Sequence, residues 1–381
     1  MIITVIYNRI GHLRSDPLPR GAYDMSTIRS VRLCTITGYV RTIIMIAALL
    51  DSLFIHPASS VAADFPQAGI SNGLITASVY LPDAENGFYR STRFDWSGAI
   101  CRLRYEGHEF YGPWIDRTDS NIINWVFQGE EIVSGLCSAN AGPVDEFVTP
   151  LGWDEAESGG AFIKIGVGIL RKDGNAYNQY KHYDVLDSGT WSIHKETDSI
   201  EFTQELKDPS SGYAYLYRKT VRLVDGKPVL EIGHSLKNTG TLAIHSMVYN
   251  HNFVVLDEQE IGPDFSVRMP FRIRQGNGDN RGPAEIDGNR IIFPRPLAGE
   301  DEIVLFIDGF GDTPEDSEII IENKKVGAGM RIAVDRPLIQ ELLWSIRSVL
   351  TIEPFVAIDI EPGGEFTWKN TIEYYTMPVN D

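Results

Sequence analysis

An all-β fold, built as one large antiparallel β-sandwich, is predicted for this 381-residue chain by three observations. Apolar and polar residues alternate with a period of two through most of the sequence after residue 64. Turn formers, 35 glycines and 20 prolines, punctuate these runs, and only one short segment carries a helical pattern. Strands without crossover helices pair antiparallel, and their number calls for two wide sheets rather than a seven-stranded unit.

In chain order, strands are expected at 162–170 (FIKIGVGIL), 200–206 (IEFTQEL), 213–223 (YAYLYRKTVRL), 229–236 and 242–255. Further strands follow at 303–307, 319–322, 330–334, 349–360 and 366–375. Asp225-Gly226, Asn238-Thr239-Gly240 and Asp287-Gly288 read as hairpin turns, because Gly and Asn accept the positive φ such turns require. Segment 337–344 (PLIQELLW) reads as about two helical turns. With no repeat and no low-complexity linker, residues 64–381 are expected to form a single domain.

Composition narrows the partners. An apolar fraction of 43% is too high for a disordered chain. The formal charge of −18 argues against a nucleic-acid-tracking surface and against an anionic membrane. The segment 1–63 is different: six arginines face three aspartates, a net +3 that leaves −21 for the remainder. Its apolar run 42–50 (TIIMIAALL) is followed by small residues ending in Val61-Ala62-Ala63, the three parts of a secretory signal. Translation from Met25 gives a signal of ordinary length, with Asp64 as the mature start. The run is short for a bilayer span and Asp51 interrupts it, so the expectation is a periplasmic or secreted protein without stable membrane insertion. An uncleaved anchor is the competing reading. Of three cysteines, Cys101 and Cys137 would remain after export, either paired or as two buried thiols.

Motifs for a zincin, a P-loop or a dinucleotide fold are absent. The first chemical candidate is Tyr249-Asn250-His251-Asn252-Phe253. Alternation sets His251 on one face with Tyr249 and Phe253, and Asn250 on the other. Imidazole serves as an acid near neutral pH, and flanking amides fix its tautomer or bind hydroxyls. Glu353 is the second, a carboxylate inside an apolar run before Pro354, where burial disfavours its charged form. His182, ahead of Trp191, is the third. His251 has a competing reading as a backbone-bonded core histidine and Glu353 as a solvent-facing strand residue, while His182 is weak alone and a tryptophan such as Trp191 reads equally as core. The acidic runs 257–260, 299–302 and 315–318 lack calcium-loop spacing and read as solvated turns.

The string from Trp191-Ser-Ile-His through Ser211-Gly-Tyr and Lys219-Thr-Val-Arg-Leu to Tyr249-Asn-His-Asn-Phe253 resembles the central strands of aldose 1-epimerases (galactose mutarotases). Glu353 followed by Pro362-Gly-Gly-Glu365 resembles the end of that family, and 94–114 resembles its opening hairpins. The resemblance implies the galactose mutarotase-like sandwich, with His251 as acid, Glu353 as base and His182 as a second histidine. It also implies sugar contacts from Asn250, Asn252, Tyr249 and Trp191, and an aspartate in 295–310, placed at Asp308 with Asp301 and Glu302 as alternatives. The substrate implied is a neutral mono- or oligosaccharide, with no cofactor or metal. His182 departs from the family's His-Gly strings. A non-catalytic carbohydrate-binding module therefore stays open beside the epimerase, as does a polysaccharide lyase that would use Arg268, Arg272, Arg274 and Arg281.

Overall fold

The computed structural model describes residues 65–379. The expected signal segment, residues 1–63 with the start at Met25, lies outside them. Two antiparallel sheets dominate. The larger has ten strands in the order Thr190–Lys195, Ser199–Lys207, Ala214–Leu223, Val229–Asn238, Glu365–Thr376, Ala328–Val334, Ile319–Asn323, Phe265–Arg268, Arg290–Ile292 and Glu285–Asp287. The smaller has six: Arg274–Gln275, Ile303–Asp308, Gln340–Ile346, Val349–Ile360, Ile244–His251 and Val144–Phe147. Their facing surfaces bury Ile200, Val221, Ile232 and Ile372 against Leu305, Leu343 and Ile352, each worth about 1.5–3 kcal/mol of transfer free energy. No helix among the described residues is long and apolar enough to cross a membrane.

Four expectations are corrected. Segment 337–344 is not helical: Gln340–Ile346 is a strand paired on both sides, with Glu341, Leu343 and Ser345 buried on alternate positions. Two ladders and a buried face outweigh the helix propensity of Gln-Glu-Leu-Leu. The run 162–170 is a hairpin of Ala161–Lys164 and Gly168–Arg171. It turns at Gly166 (φ 78°), where a Cβ would lie 2.8 Å from that of Asp95. Asn238-Thr239-Gly240 is a crossover between the two sheets, held by Asn238 Nδ2 donating to the Leu242 and Ile360 carbonyls. The run 242–255 leaves the ladder after His251 because Phe253 takes φ 40°, and Val254 then bridges Tyr111 and Leu350. The turns at Asp225-Gly226 and Asp287-Gly288 do connect paired strands.

The outer face of the smaller sheet is covered as well. Tyr89, Phe94, Trp96, Trp114, Phe253 and Tyr183 form an aromatic layer over it, supplied by the irregular segment between strands Ile75–Tyr80 and Ile100–Tyr105, the one after His108–Tyr111, the exit of Ile244–His251 and the approach to Val185–Asp187. Buried irregular backbone needs partners. Tyr89 Oη accepts the Arg93 and Phe94 N–H groups and donates to the Cys137 carbonyl, while Trp96 Nε1 donates to Ser91 O.

Candidate functional site

Strand register assembles the centre under this aromatic layer. Tyr249 lies opposite Phe355 on one neighbouring strand and opposite Glu146 on the other. Two residues further on, the antiparallel ladder sets His251 beside Glu353, and His251 Nε2 is 3.2 Å from Glu353 Oε1. All five side chains are buried on the outer face. His251 stacks on Phe253 at 3.7 Å between centroids, with Phe94 and Trp344 edge-on.

Sequence reasoning missed the cation that organises them. Arg93 Nε donates to Glu146 Oε2 at 2.6 Å and its Nη2 donates to Tyr249 Oη at 2.9 Å, while Tyr249 donates to Glu146 at 2.5 Å. The guanidinium is held between the rings of Phe94 (4.4 Å) and Tyr180 (4.8 Å). Lys164, fully buried, reaches Glu146 Oε1 at 3.4 Å. The signals available were Arg93 one residue before the aromatic 94–114 stretch, and adjacent acids inside Val144–Phe147.

Burial pushes the Glu353 carboxyl up to about 8, with Arg93 opposing and Glu146 adding. Burial and then Arg93 hold His251 well below its ordinary value. Glu146 is lowered because Arg93 and Lys164 outweigh its burial. Burial thus disfavours the charged form of both groups, and His251 Nδ1 has no hydrogen-bond partner.

The other expected residues lie elsewhere. Asn250 points to the inner face and donates to Asp145 Oδ1. Asn252 is buried and donates to the Ile352 carbonyl at 2.6 Å, fixing the chain exit rather than facing a ligand. Trp191 packs between core clusters on an edge strand. Asp308 is exposed at a strand end and bound to Arg274 at 3.2 Å. Asp301 pairs with Arg295, and Glu302 with Arg281 and Trp344 Nε1. These ion pairs also occupy two of the arginines a lyase would use. Among the described residues no group of three His, Cys, Asp or Glu side chains is arranged to hold a metal ion. His182 does not join His251: it lines an open cleft of about 330 Å³ with Tyr180, Asn178, Lys181, Cys137, Leu136 and the 120–123 loop. Tyr180 is the shared wall, facing the cleft and covering Arg93.

No family model and no curated protein sequence matches the chain. Solved structures do. An Escherichia coli K12 protein provisionally assigned as an aldose 1-epimerase superposes with a TM-score of 0.50 at 13% identity, over 82% of this chain and 99% of that one. A galactose mutarotase-related enzyme of Lactobacillus acidophilus gives 0.47 at 16% identity (82% and 98% covered). A galactose mutarotase-like protein of Lactobacillus casei gives 0.46 at 13% (81% and 100%). At such identities the likeness is one of architecture, and on the E. coli superposition this chain has the galactose mutarotase-like β-sandwich fold.

Proposed function

We propose that this chain is a carbohydrate-active protein of the aldose 1-epimerase kind, interconverting the anomers of a neutral mono- or oligosaccharide. The observation that carries the reading is the buried His251–Glu353 pair, 3.2 Å apart beside Arg93. Ring opening removes a proton from the anomeric hydroxyl and delivers one to the ring oxygen. At neutral pH the pair offers one carboxylic acid and one neutral imidazole, the complement this exchange needs. With burial favouring the neutral form of each, Glu353 would start as the acid and His251 as the base, the reverse of the assignment the resemblance implies. Because ring closure exchanges the two roles, either start serves the reaction. Each group contributes about 10²–10⁴-fold.

Since His251 and Glu353 touch, a pyranose has to part them, and the approach is from the cleft after Tyr180 leaves Arg93. That closure also favours a second reading, a binding-only protein that stacks sugar on Tyr180 in the cleft without turnover. Freshly dissolved α-anomers of a neutral sugar panel, followed by polarimetry, separate the two. Acceleration lost in both His251→Ala and Glu353→Gln supports the epimerase. Buffer-rate mutarotation with saturable sugar-induced shifts in proton NMR supports binding alone, and neither signal removes both readings. We further propose export, supported by the composition of residues 1–63. Amino-terminal sequencing of the protein from its host tests it, with Asp64 as the expected start.

A further inference from the structure

His182 belongs to a second arrangement, which does not rest on the sugar reading. Ser91 Oγ stands 2.8 Å from Cys137 Sγ and 3.0 Å from His182 Nδ1, so one hydroxyl bridges a thiol and an imidazole. The hydrogen positions are mutually consistent: the thiol donates to the hydroxyl and the hydroxyl donates to Nδ1. Shifting both protons along the same heavy atoms gives a thiolate and an imidazolium, with each hydrogen bond reversed. Partial desolvation holds His182 below its ordinary value, with Asp184 opposing, which favours the neutral ring able to accept.

The cleft gives the arrangement a ligand space. Cys137 and His182 both line its volume of about 330 Å³. Ile122, Ile123 and Leu136 supply an apolar wall, with Ile123 63% and Leu136 39% exposed, while Asn178 and Ser120 add polar groups. Cys101 supplies the contrast. It is only partly buried, yet its thiol donates to the Ser78 carbonyl at 3.3 Å, a group that cannot accept the proton outright.

We infer that Cys137 is a covalent-addition site for small α,β-unsaturated carbonyl compounds admitted by this cleft, with Ser91 and His182 as its proton relay. In the addition, a sulfur–carbon bond forms at the β-carbon as the carbon–carbon π bond breaks. The thiol proton passes through Ser91 to His182 and is returned to the α-carbon. Atoms and electrons balance with no oxidant and no leaving group.

The test treats the whole folded protein with limiting N-ethylmaleimide and follows each cysteine by peptide mass. Cys137 is expected to react at least about tenfold faster than Cys101 despite its deeper burial, a small share of what a placed general base supplies. Ser91→Ala and His182→Asn are each expected to slow Cys137 by about tenfold and leave Cys101 unchanged. His182 is exposed at the cleft, so its variant keeps the test open if Ser91→Ala misfolds, which a faster Cys101 would reveal. Cys101 reacting first, Cys137 reacting only in urea, or an unchanged Cys137 rate in His182→Asn overturns the proposal.

Discussion

The strand Val144–Phe147 carries buried carboxylates on both faces, and the two are treated differently. On the inner face Asp145 is saturated: Lys219 Nζ at 2.7 Å, His234 Nε2 at 3.0 Å and Asn250 Nδ2 at 3.0 Å all reach it. Lys219 in turn donates to the Ser97 carbonyl and approaches Asp95, and His234 stacks on Trp368. Asp145 is held far below the usual carboxylate range because these partners outweigh its burial. On the outer face Glu146 is similarly satisfied, but it serves as the floor for His251 and Glu353, whose charged forms burial disfavours. Desolvation acts on both clusters. Where partners cancel it, the result is a structural lock; where they do not, a group is left with a proton it can exchange.

The contrast is sharpest in Glu353→Gln, which keeps shape and burial and is expected to lower mutarotation by about 10²–10⁴-fold while leaving folding intact. Polarimetry beside urea unfolding checks both halves. On the inner face the expected order reverses: Asp145→Ala removes the shared partner of Lys219, His234 and Asn250, leaves Lys219 the longer Asp95 contact, and is expected to cost about 3–5 kcal/mol in urea unfolding. The pH dependence follows from Glu353, raised from 4.5 to about 8. Between those values the unfolded chain has released this proton and the folded chain retains it, so its contribution to stability falls as pH rises. Glu353→Gln lacks that loss, and its stability relative to wild type is expected to climb from pH 5 to pH 8. Glu341 probes whether an unsatisfied acid alone makes a site. It is fully buried on the inner side with both oxygens unpartnered, and burial raises it well above its ordinary value. With no base beside it, it is a structural liability, and Glu341→Met is expected to stabilise by about 1–3 kcal/mol in the same unfolding assay. The smallest effect is assigned to Tyr180→Ala, about 0.5–1 kcal/mol from loss of the ring over Arg93.

Local alternation made most of this legible. The period-two runs located the long strands, and the face assignment that groups Tyr249 with His251 follows from it directly. Asn250 and Asn252 sat in the same suggestive string, but Asn250 faces the opposite side and Asn252 lies where Phe253 bends the chain. Residues 337–344 failed because a short apolar run with Gln and Glu satisfies both periods, and only the flanking ladders decide. Arg93 and Glu146 were invisible for a different reason. One sits in irregular backbone held by Tyr89, and the other acquires meaning only from a strand about a hundred residues away. His182 was noticed, but its partner Ser91 is ninety-one residues distant and no local pattern links them.

The alternation of lock and centre along shared strands bears on how faithfully the chain folds. Asp145 and Glu146 are adjacent, as are Asn250 and His251, and each neighbour serves the opposite face. A slip of one residue in this pairing would turn Glu146 toward Lys219 and His234, and set Asp145 beneath Arg93, with every hydrogen bond mismatched. Charges buried without partners cost several kcal/mol each, so a misaligned sheet would carry its own penalty before any loop closed over it. The residues proposed for chemistry thus also act as an alignment key: a chain that has assembled the centre has, by the same contacts, verified its register.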